Sequence, residues 1–204
     1  MCISQSMTIV RHAARRGNLY GTSTDEAALI DEVLDGITDA RGAIVSYPFL
    51  PDEREACGRL AQSTNRFFPH FEALLARNHA HAPHVVGGAL TIADVLLAEL
   101  VESCCEAVGE SSLLDAYPKL KALHAHVLAL PPIQTFMGGA NWFAFPKGDV
   151  GARYVRNVRT VRRDAAGPPT RHPDTQSAPE SQASHSASVC VRAPLTALKP
   201  EKSL

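Results

Sequence analysis

The sequence predicts an all-α fold, a bundle of helices, and three observations support this. Apolar residues recur at helical spacing along most of the chain between residues 7 and 137. Strand signals are almost absent, because Val85-Val86 and the segment 143–145 are too short to pair convincingly. Prolines and glycines fall between the periodic stretches, where helices are expected to end.

The composition is that of an ordinary globular chain of 204 residues, with 45% hydrophobic and 20% charged residues. A formal net charge of −1 gives no reason to expect nucleic acid or a membrane as a partner. No apolar run reaches the length of about 18 residues that a membrane-spanning helix needs. The five cysteines lack metal-ligand spacing and favour a reducing compartment, so we expect a cytoplasmic protein and assign no metal site.

The first predicted helix covers residues 7–16 and ends at Gly17. Ser6 is expected to be its N-cap, because a serine hydroxyl accepts a hydrogen bond from an otherwise unpaired backbone N–H. A helix N-terminus with a hydroxyl and exposed amides attracts a carboxylate. A capped surface helix that binds nothing would have the same pattern.

Two long helices are predicted next. The second begins near Thr24 and ends before Pro48 and Pro51. Its apolar face is expected to contain Ala28, Leu29, Val33, Ile37 and Ile44. The third helix covers residues 52–78, and Pro69 inside it is expected to produce a kink.

The fourth and fifth helices have clear start signals. Thr91 and Asp94 form the capping-box pattern that opens the fourth helix, which is apolar nearly all round and therefore expected at the centre of the bundle. The fifth helix starts at Pro118 and stops at Pro131. Residues 133–137 could form one more turn.

The C-terminal part divides into two segments. Residues 147–163 predict a basic amphipathic helix, in which Arg153, Arg156, Arg159, Arg162 and Arg163 alternate with apolar residues. It is expected to pack on the bundle with its arginines in solvent, and binding to an anionic partner is the alternative. From residue 164 Ser, Pro, Ala, Gln and His dominate, so residues 164–204 are predicted to be disordered.

Several sequence blocks follow one another in an order that resembles the cytosolic glutathione S-transferase family, in particular its alpha, mu, pi and sigma classes. They include N-R-F-F-P-H-F-E at 65–72 and lie at 5–6, 18–21, 28–39, 65–72, 86–94 and 117–120. The resemblance implies that residues 1–17 are the last part of a thioredoxin-like glutathione-binding domain. It further implies that residues 18–146 form the family's C-terminal helical domain.

The resemblance also implies a set of glutathione-binding residues. Gln5 and Ser6 match the pair that binds the γ-glutamyl end of glutathione. Asp39 and Arg66 match residues that approach the partner subunit's glutathione across a dimer interface. An arginine suits this role, since glutathione carries two carboxylates that a guanidinium can pair with.

The function implied by the resemblance is conjugation of glutathione, as co-substrate, to electrophilic small molecules by a homodimer. In this family the tyrosine or serine that activates the thiol precedes the Gln-Ser pair, and only four residues precede Gln5 here. We therefore assign no catalytic residue and expect this chain alone to be weakly active or inactive. One alternative is a non-catalytic domain of the same fold used for dimerisation or interaction, and another is a sigma-type isomerase.

Overall fold

The computed structural model describes residues 2–109, 111–140 and 142–165, and within these ranges it contains no strand. The predicted all-α fold is thereby confirmed. The helices are α1 (Ser6–Arg16), α2 (Thr24–Ser46), α3 (Glu53–Arg77), α4 (Ile92–Val108), α5 (Pro118–Leu128), α6 (Pro131–Met137) and α7 (Gly148–Ala165). None of these helices combines the length and apolarity needed to cross a membrane. The predicted disordered tail lies, from residue 166 on, outside the described residues.

Four helices surround the main core. α2 packs on α3 and α4, and α5 packs on the same two helices, so that each of the four has two neighbours among them. The largest fully buried side chains are Phe68, Phe71, Ile30, Leu34, Ile37, Leu60, Leu97, Leu100, Leu114, Leu120, Leu123 and Val101. Cys104 lies in the same core, where burial raises the pKa of its thiol to about 12. It therefore packs as a small apolar residue.

The buried face of α2 differs from the predicted one. Val33, Ile37 and Ile44 are buried as expected, but Ala28 is exposed and Leu29 is 49% exposed. Ile30 takes the core position instead. Successive helical residues point about 100° apart, so shifting the stripe by one residue moves Leu29 to the rim.

The start of α1 also corrects a prediction. Ser6 is the first residue of the helix, and Gln5 is its N-cap, without a side-chain capping hydrogen bond. Gln5 has φ 73° and ψ 120°, which turns the chain into the helix one residue earlier than expected. Among the described residues, no side chain therefore caps the first backbone amides of α1.

The predicted capping box of α4 is present and extends further than its sequence pattern indicated. Asp94 Oδ2 accepts hydrogen bonds from the backbone N–H and the hydroxyl of Thr91, at 2.8 and 3.0 Å. Its other oxygen accepts from the backbone N–H of Val85 at 2.8 Å. Burial raises the pKa of Asp94 even though these donors oppose the shift. One side chain thus holds both the start of α4 and the loop before it.

The basic helix α7 is longer than predicted and is only partly packed on the bundle. The ring of Tyr154 lies 5.7 Å from that of Phe49, in the short turn after α2. Gly151 is buried at the same end, whereas Val161 is 68% exposed. The arginines from 153 to 162 are exposed. The N-terminal half of α7 therefore packs as expected, and its C-terminal half extends beyond the contact.

Candidate functional site

Gln5 and Ser6 lie side by side at the exposed N-terminus of α1. A positive φ is uncommon for a residue other than glycine, and backbone strain of this kind clusters at ligand-binding positions. The first amides of a helix carry a partial positive charge and have no partner within the helix. The arrangement is therefore suited to bind a carboxylate.

A polar cluster holds α1 on α2. Arg11 donates from Nε to Asp31 Oδ1 and from Nη2 to Asp35 Oδ1, both at 2.7 Å. The hydroxyl of Tyr20 donates to the same oxygen of Asp31 at 2.5 Å. The guanidinium of Arg15 lies over the Tyr20 ring, 4.1 Å from its centroid. These contacts fix α1, and with it the Gln5–Ser6 pair, relative to α2.

The electrostatics of this cluster favour the charged form of Asp31. Burial by itself raises the pKa of Asp31, but hydrogen bonds from Tyr20 and Arg11 outweigh it, so the pKa is lowered. For Tyr20, burial and its hydrogen bond to Asp31 both raise the pKa. The cluster therefore has an ionised carboxylate, a charged guanidinium and a neutral phenol near neutral pH.

Asp39 and Arg66 are exposed on neighbouring helices. Ser63 on α3 donates to the carbonyl of Ala40 on α2 at 3.2 Å, so these two stretches of α2 and α3 lie at similar heights. In the described part of the chain Asp39 has no ion pair, and the guanidinium of Arg66 contacts only an aromatic ring, 5.0 Å from the Phe67 centroid. The structure therefore places two oppositely charged residues at similar heights on two neighbouring helices.

The two halves of the predicted site are not joined to each other in the described structure. Tyr20, which follows α1, contacts Asp31. Arg11, in the middle of α1, contacts both Asp31 and Asp35. Both contacts hold α1 against the stretch of α2 from Asp31 to Asp35, which precedes Asp39. No hydrogen bond or ion pair links Gln5 or Ser6 to Asp39 or Arg66 within the described ranges. Their common role in one site stays a prediction.

Sequence reasoning missed the residues that support the site. Arg11 and Asp31 are 20 residues apart and belong to different helices. The spacing of Asp31 and Asp35 by four residues places both carboxylates on one face of α2, and this was the available signal. A pair of acids on one helix face is too common to indicate its partner without the fold.

The fold matches the C-terminal helical part of glutathione transferases. Na-GST-3, a monomeric glutathione S-transferase from the hookworm Necator americanus, superimposes with a TM-score of 0.63 at 23% identity, covering 70% of this chain and 71% of that one. NaGST-2 gives a TM-score of 0.60, also at 23% identity, over 69% of this chain and 70% of that one. The family model described as "Glutathione S-transferase, C-terminal domain" matches residues 38–138.

Sequence comparison gives the family. Rat glutathione S-transferase alpha-1 is 32% identical over 164 residues, which are 79% of this chain and 71% of that protein. Human glutathione S-transferase A2 is 37% identical over 140 residues, or 67% of this chain. The chain therefore belongs to the glutathione S-transferase family. It spans 61% of the length of the human A2 protein.

Proposed function

We propose that this chain belongs to an enzyme that conjugates glutathione to electrophilic small molecules in the cytoplasm, and that it supplies one edge of the glutathione site. The observation that carries the proposal is the N-terminus of α1. Gln5 adopts a strained backbone conformation there, and no side chain in the described part of the chain caps the first amides. Backbone strain at an exposed helix start has no evident packing benefit, and contact with a ligand would explain why the strain is retained.

The chemistry of these groups fits the γ-glutamyl end of glutathione, which has an ammonium and a carboxylate. The Ser6 hydroxyl and the amides at the start of α1 can donate to the carboxylate. The side-chain carbonyl of Gln5 can accept from the ammonium. Three contact types on one small group would fix its orientation as well as its position.

Asp39 and Arg66 would complete the ligand shell from a second subunit. Both are exposed, and neither forms an ion pair within the described residues. In a homodimer the Asp39 carboxylate would pair with the γ-glutamyl ammonium, and Arg66 would pair with a carboxylate of the same ligand. This assignment accounts for two opposite charges that remain unpaired on neighbouring helices.

Thiol activation needs a hydroxyl that stabilises the thiolate. Two tyrosines of this chain already use their hydroxyls elsewhere: Tyr20 donates to Asp31, and the hydroxyl of Tyr47 lies 3.2 Å from Cys57 Sγ. We therefore do not assign either tyrosine as the thiol-activating residue, and the expectation of little conjugation by these 204 residues alone is unchanged.

The experiment measures glutathione binding by calorimetry in the chain as it stands. Gln5→Ala and Ser6→Ala are expected to weaken binding at least fivefold, whereas Thr8→Ala, an exposed change on the same helix, should leave it unchanged. Asp39→Asn and Arg66→Gln should weaken binding only under conditions in which sedimentation shows a dimer. Asp25→Asn and Arg54→Gln are the matched exposed controls on α2 and α3.

The outcomes of these measurements separate the proposed glutathione-conjugating role from the non-catalytic alternative. Binding that is insensitive to Gln5 and Ser6 would overturn the site assignment. Efficient conjugation of an activated aryl halide by this chain alone would overturn the view that it lacks the thiol-activating group. A dimer without detectable glutathione binding would favour the non-catalytic interaction domain, since the exposed face with Asp39 and Arg66 would then serve association alone.

A further inference from the structure

We propose that a cavity lined by α4, α5 and α6 binds a small, uncharged aromatic molecule. The cavity has a volume of about 110 Å³ and lies between α4, α5, α6 and the segment around Trp142. The side chains that shape it include Val95, Ala98, Val127, Ile133, Phe136 and Trp142. The predicted glutathione-binding residues belong to α1, α2 and α3, so this site is independent of the proposed function.

The walls of the cavity suit a flat ring. The rings of Phe136 and Trp142 meet edge to face, with centroids 5.9 Å apart and planes at 79°. The opposite wall is aliphatic and is formed by side chains such as Val95 and Val127. Aromatic groups pack favourably against both kinds of surface, and their rings prefer edge-to-face or offset contacts with other rings.

A hydrogen bond between the backbone and a carboxylate holds the segment that contains Trp142 in place. The N–H of Phe145 donates to Glu106 Oε2 at 2.8 Å, which ties the segment after α6 to the side of α4. The ring of Phe145 also contacts Tyr47 edge to face, with centroids 5.5 Å apart. Phe136, by contrast, is 52% exposed, and its rotation would open a path into the cavity. The site therefore has one fixed wall and one side that can move.

The charges at the rim exclude an ionic ligand. Glu99 is paired with Arg41, whose Nη1 lies 3.1 Å from Oε1 of the carboxylate. Glu102 is paired with His124 Nε2 at 2.7 Å. Neither carboxylate is left to neutralise a bound cation. A charged ligand would also lose its hydration against apolar walls, so the favoured ligand is uncharged.

The volume sets the size of the ligand. Apolar cavities of about 150 Å³ accept benzene, so the smaller space of about 110 Å³ accommodates a single six-membered ring only if Phe136 moves outward and enlarges it. A ligand of this size is expected to bind with Kd on the order of 0.1–1 mM.

The test uses the fluorescence of Trp142, which is the only tryptophan in the chain. Bromobenzene is the probe, because a bromine atom in contact with an indole ring quenches its emission. We expect quenching that saturates with bromobenzene concentration and is reversed by toluene, which competes for the cavity but has no heavy atom. Linear, unsaturable quenching, like that of N-acetyltryptophanamide in solution, would overturn the proposal.

Variants locate the bound probe. Ala98→Leu and Val95→Phe fill the cavity from α4 and are expected to weaken saturable quenching at least tenfold. Ala98 is buried, so if that variant fails to fold by circular dichroism, the half-buried Val95 gives the answer. Unchanged saturable quenching in a folded filling variant would contradict the proposal.

Phe143→Ala is the matched control, since Phe143 follows Trp142 directly and is 83% exposed. Its quenching curve should match that of the unaltered chain. If Phe143→Ala instead tightens probe binding and removes a dependence on protein concentration, the cavity accepts Phe143 from a second copy. That result would also overturn the small-molecule assignment.

Discussion

Glu72 on α3 binds the N-terminus of α5: its Oε2 accepts a hydrogen bond from the backbone N–H of Leu120 at 2.8 Å. Its Oε1 accepts from the N–H of Lys119 at 3.0 Å. The N-cap of α5 is Tyr117, which makes no side-chain capping bond. α5 is therefore capped by a carboxylate from another helix, and this contact joins two blocks of the sequence that carry the family resemblance.

Removing this carboxylate should destabilise the fold. We expect Glu72→Ala to lower the free energy of unfolding by about 2 kcal/mol, and Glu72→Gln, which keeps one acceptor, by about 1 kcal/mol. Urea denaturation followed by circular dichroism measures both. The control is Glu55→Gln, because Glu55 forms an exposed i,i+4 pair with Arg59 on the same helix. That change should stay within about 0.5 kcal/mol, and an equal loss in both variants would contradict the capping role.

Asp94 should be the most sensitive polar position described. It is fully buried and accepts three hydrogen bonds, from Val85 and from two groups of Thr91. Asp94→Asn replaces an acceptor by a donor that faces other donors, so we expect a loss of about 2–4 kcal/mol in unfolding free energy. The same urea experiment on Asp115→Asn, an exposed acid paired with Lys121, should show less than about 1 kcal/mol. A loss for Asp94→Asn as small as this control would mean that its hydrogen bonds contribute little.

These contacts show which part of the structure a single sequence can predict. The Thr91–Asp94 box is local, with both partners three residues apart, and its pattern was sufficient. The bonds from Glu72 to α5 join residues 47 and 48 positions apart, and those from Arg11 to α2 join residues 20 and 24 positions apart. They therefore depend on how the helices pack together. Only the start of the buried face of α2 was misplaced, by one residue, because Leu29 and Ile30 are both strongly apolar and packing decides between them.

The candidate site likewise combines features that the sequence predicts with features that depend on the fold. Gln5, Ser6, Asp39 and Arg66 were found through the order of sequence blocks, and their joint role stays a prediction. The strained backbone of Gln5 has no sequence signature. The cavity at Trp142 was missed because three helices and an irregular segment contribute to its walls, and no periodic pattern extends across them.

The cluster around Asp31 should make α1 docking sensitive to acid. The pKa of Asp31 is lowered from 3.8, since hydrogen bonds from Tyr20 and Arg11 outweigh the effect of burial. A carboxyl with a lowered folded pKa contributes stability that is present above its unfolded pKa and is lost as pH falls through the folded value. We expect Asp31→Asn to cost about 1 kcal/mol at pH 7, and this difference should shrink below about pH 4.

Urea midpoints of the unaltered chain and of Asp31→Asn at a series of pH values from 7 down to 2 measure this effect. The control is Asp25→Asn on the same helix, an exposed acid that does not contact α1 in the described structure. Its difference from the unaltered chain should vary much less with pH. Parallel pH profiles for the unaltered chain and Asp31→Asn would show that the cluster does not favour the ionised carboxyl.

Substitution of Gln5 should separate stability from binding. At φ 73° a glycine has no Cβ to clash with the backbone, whereas the Cβ of glutamine or alanine makes this conformation unfavourable. We expect Gln5→Gly to be about 0.5–1 kcal/mol more stable than Gln5→Ala, after the larger unfolded-state entropy of glycine is included. Both variants lack the side-chain amide, so both should bind glutathione at least fivefold more weakly in calorimetry. A glycine variant that is more stable than the alanine variant would indicate strain at residue 5, and weaker binding by both would indicate that the Gln5 amide contributes to the site. Equal stability of the two variants would argue against strain at this residue, and undiminished binding would remove its amide from the proposed site.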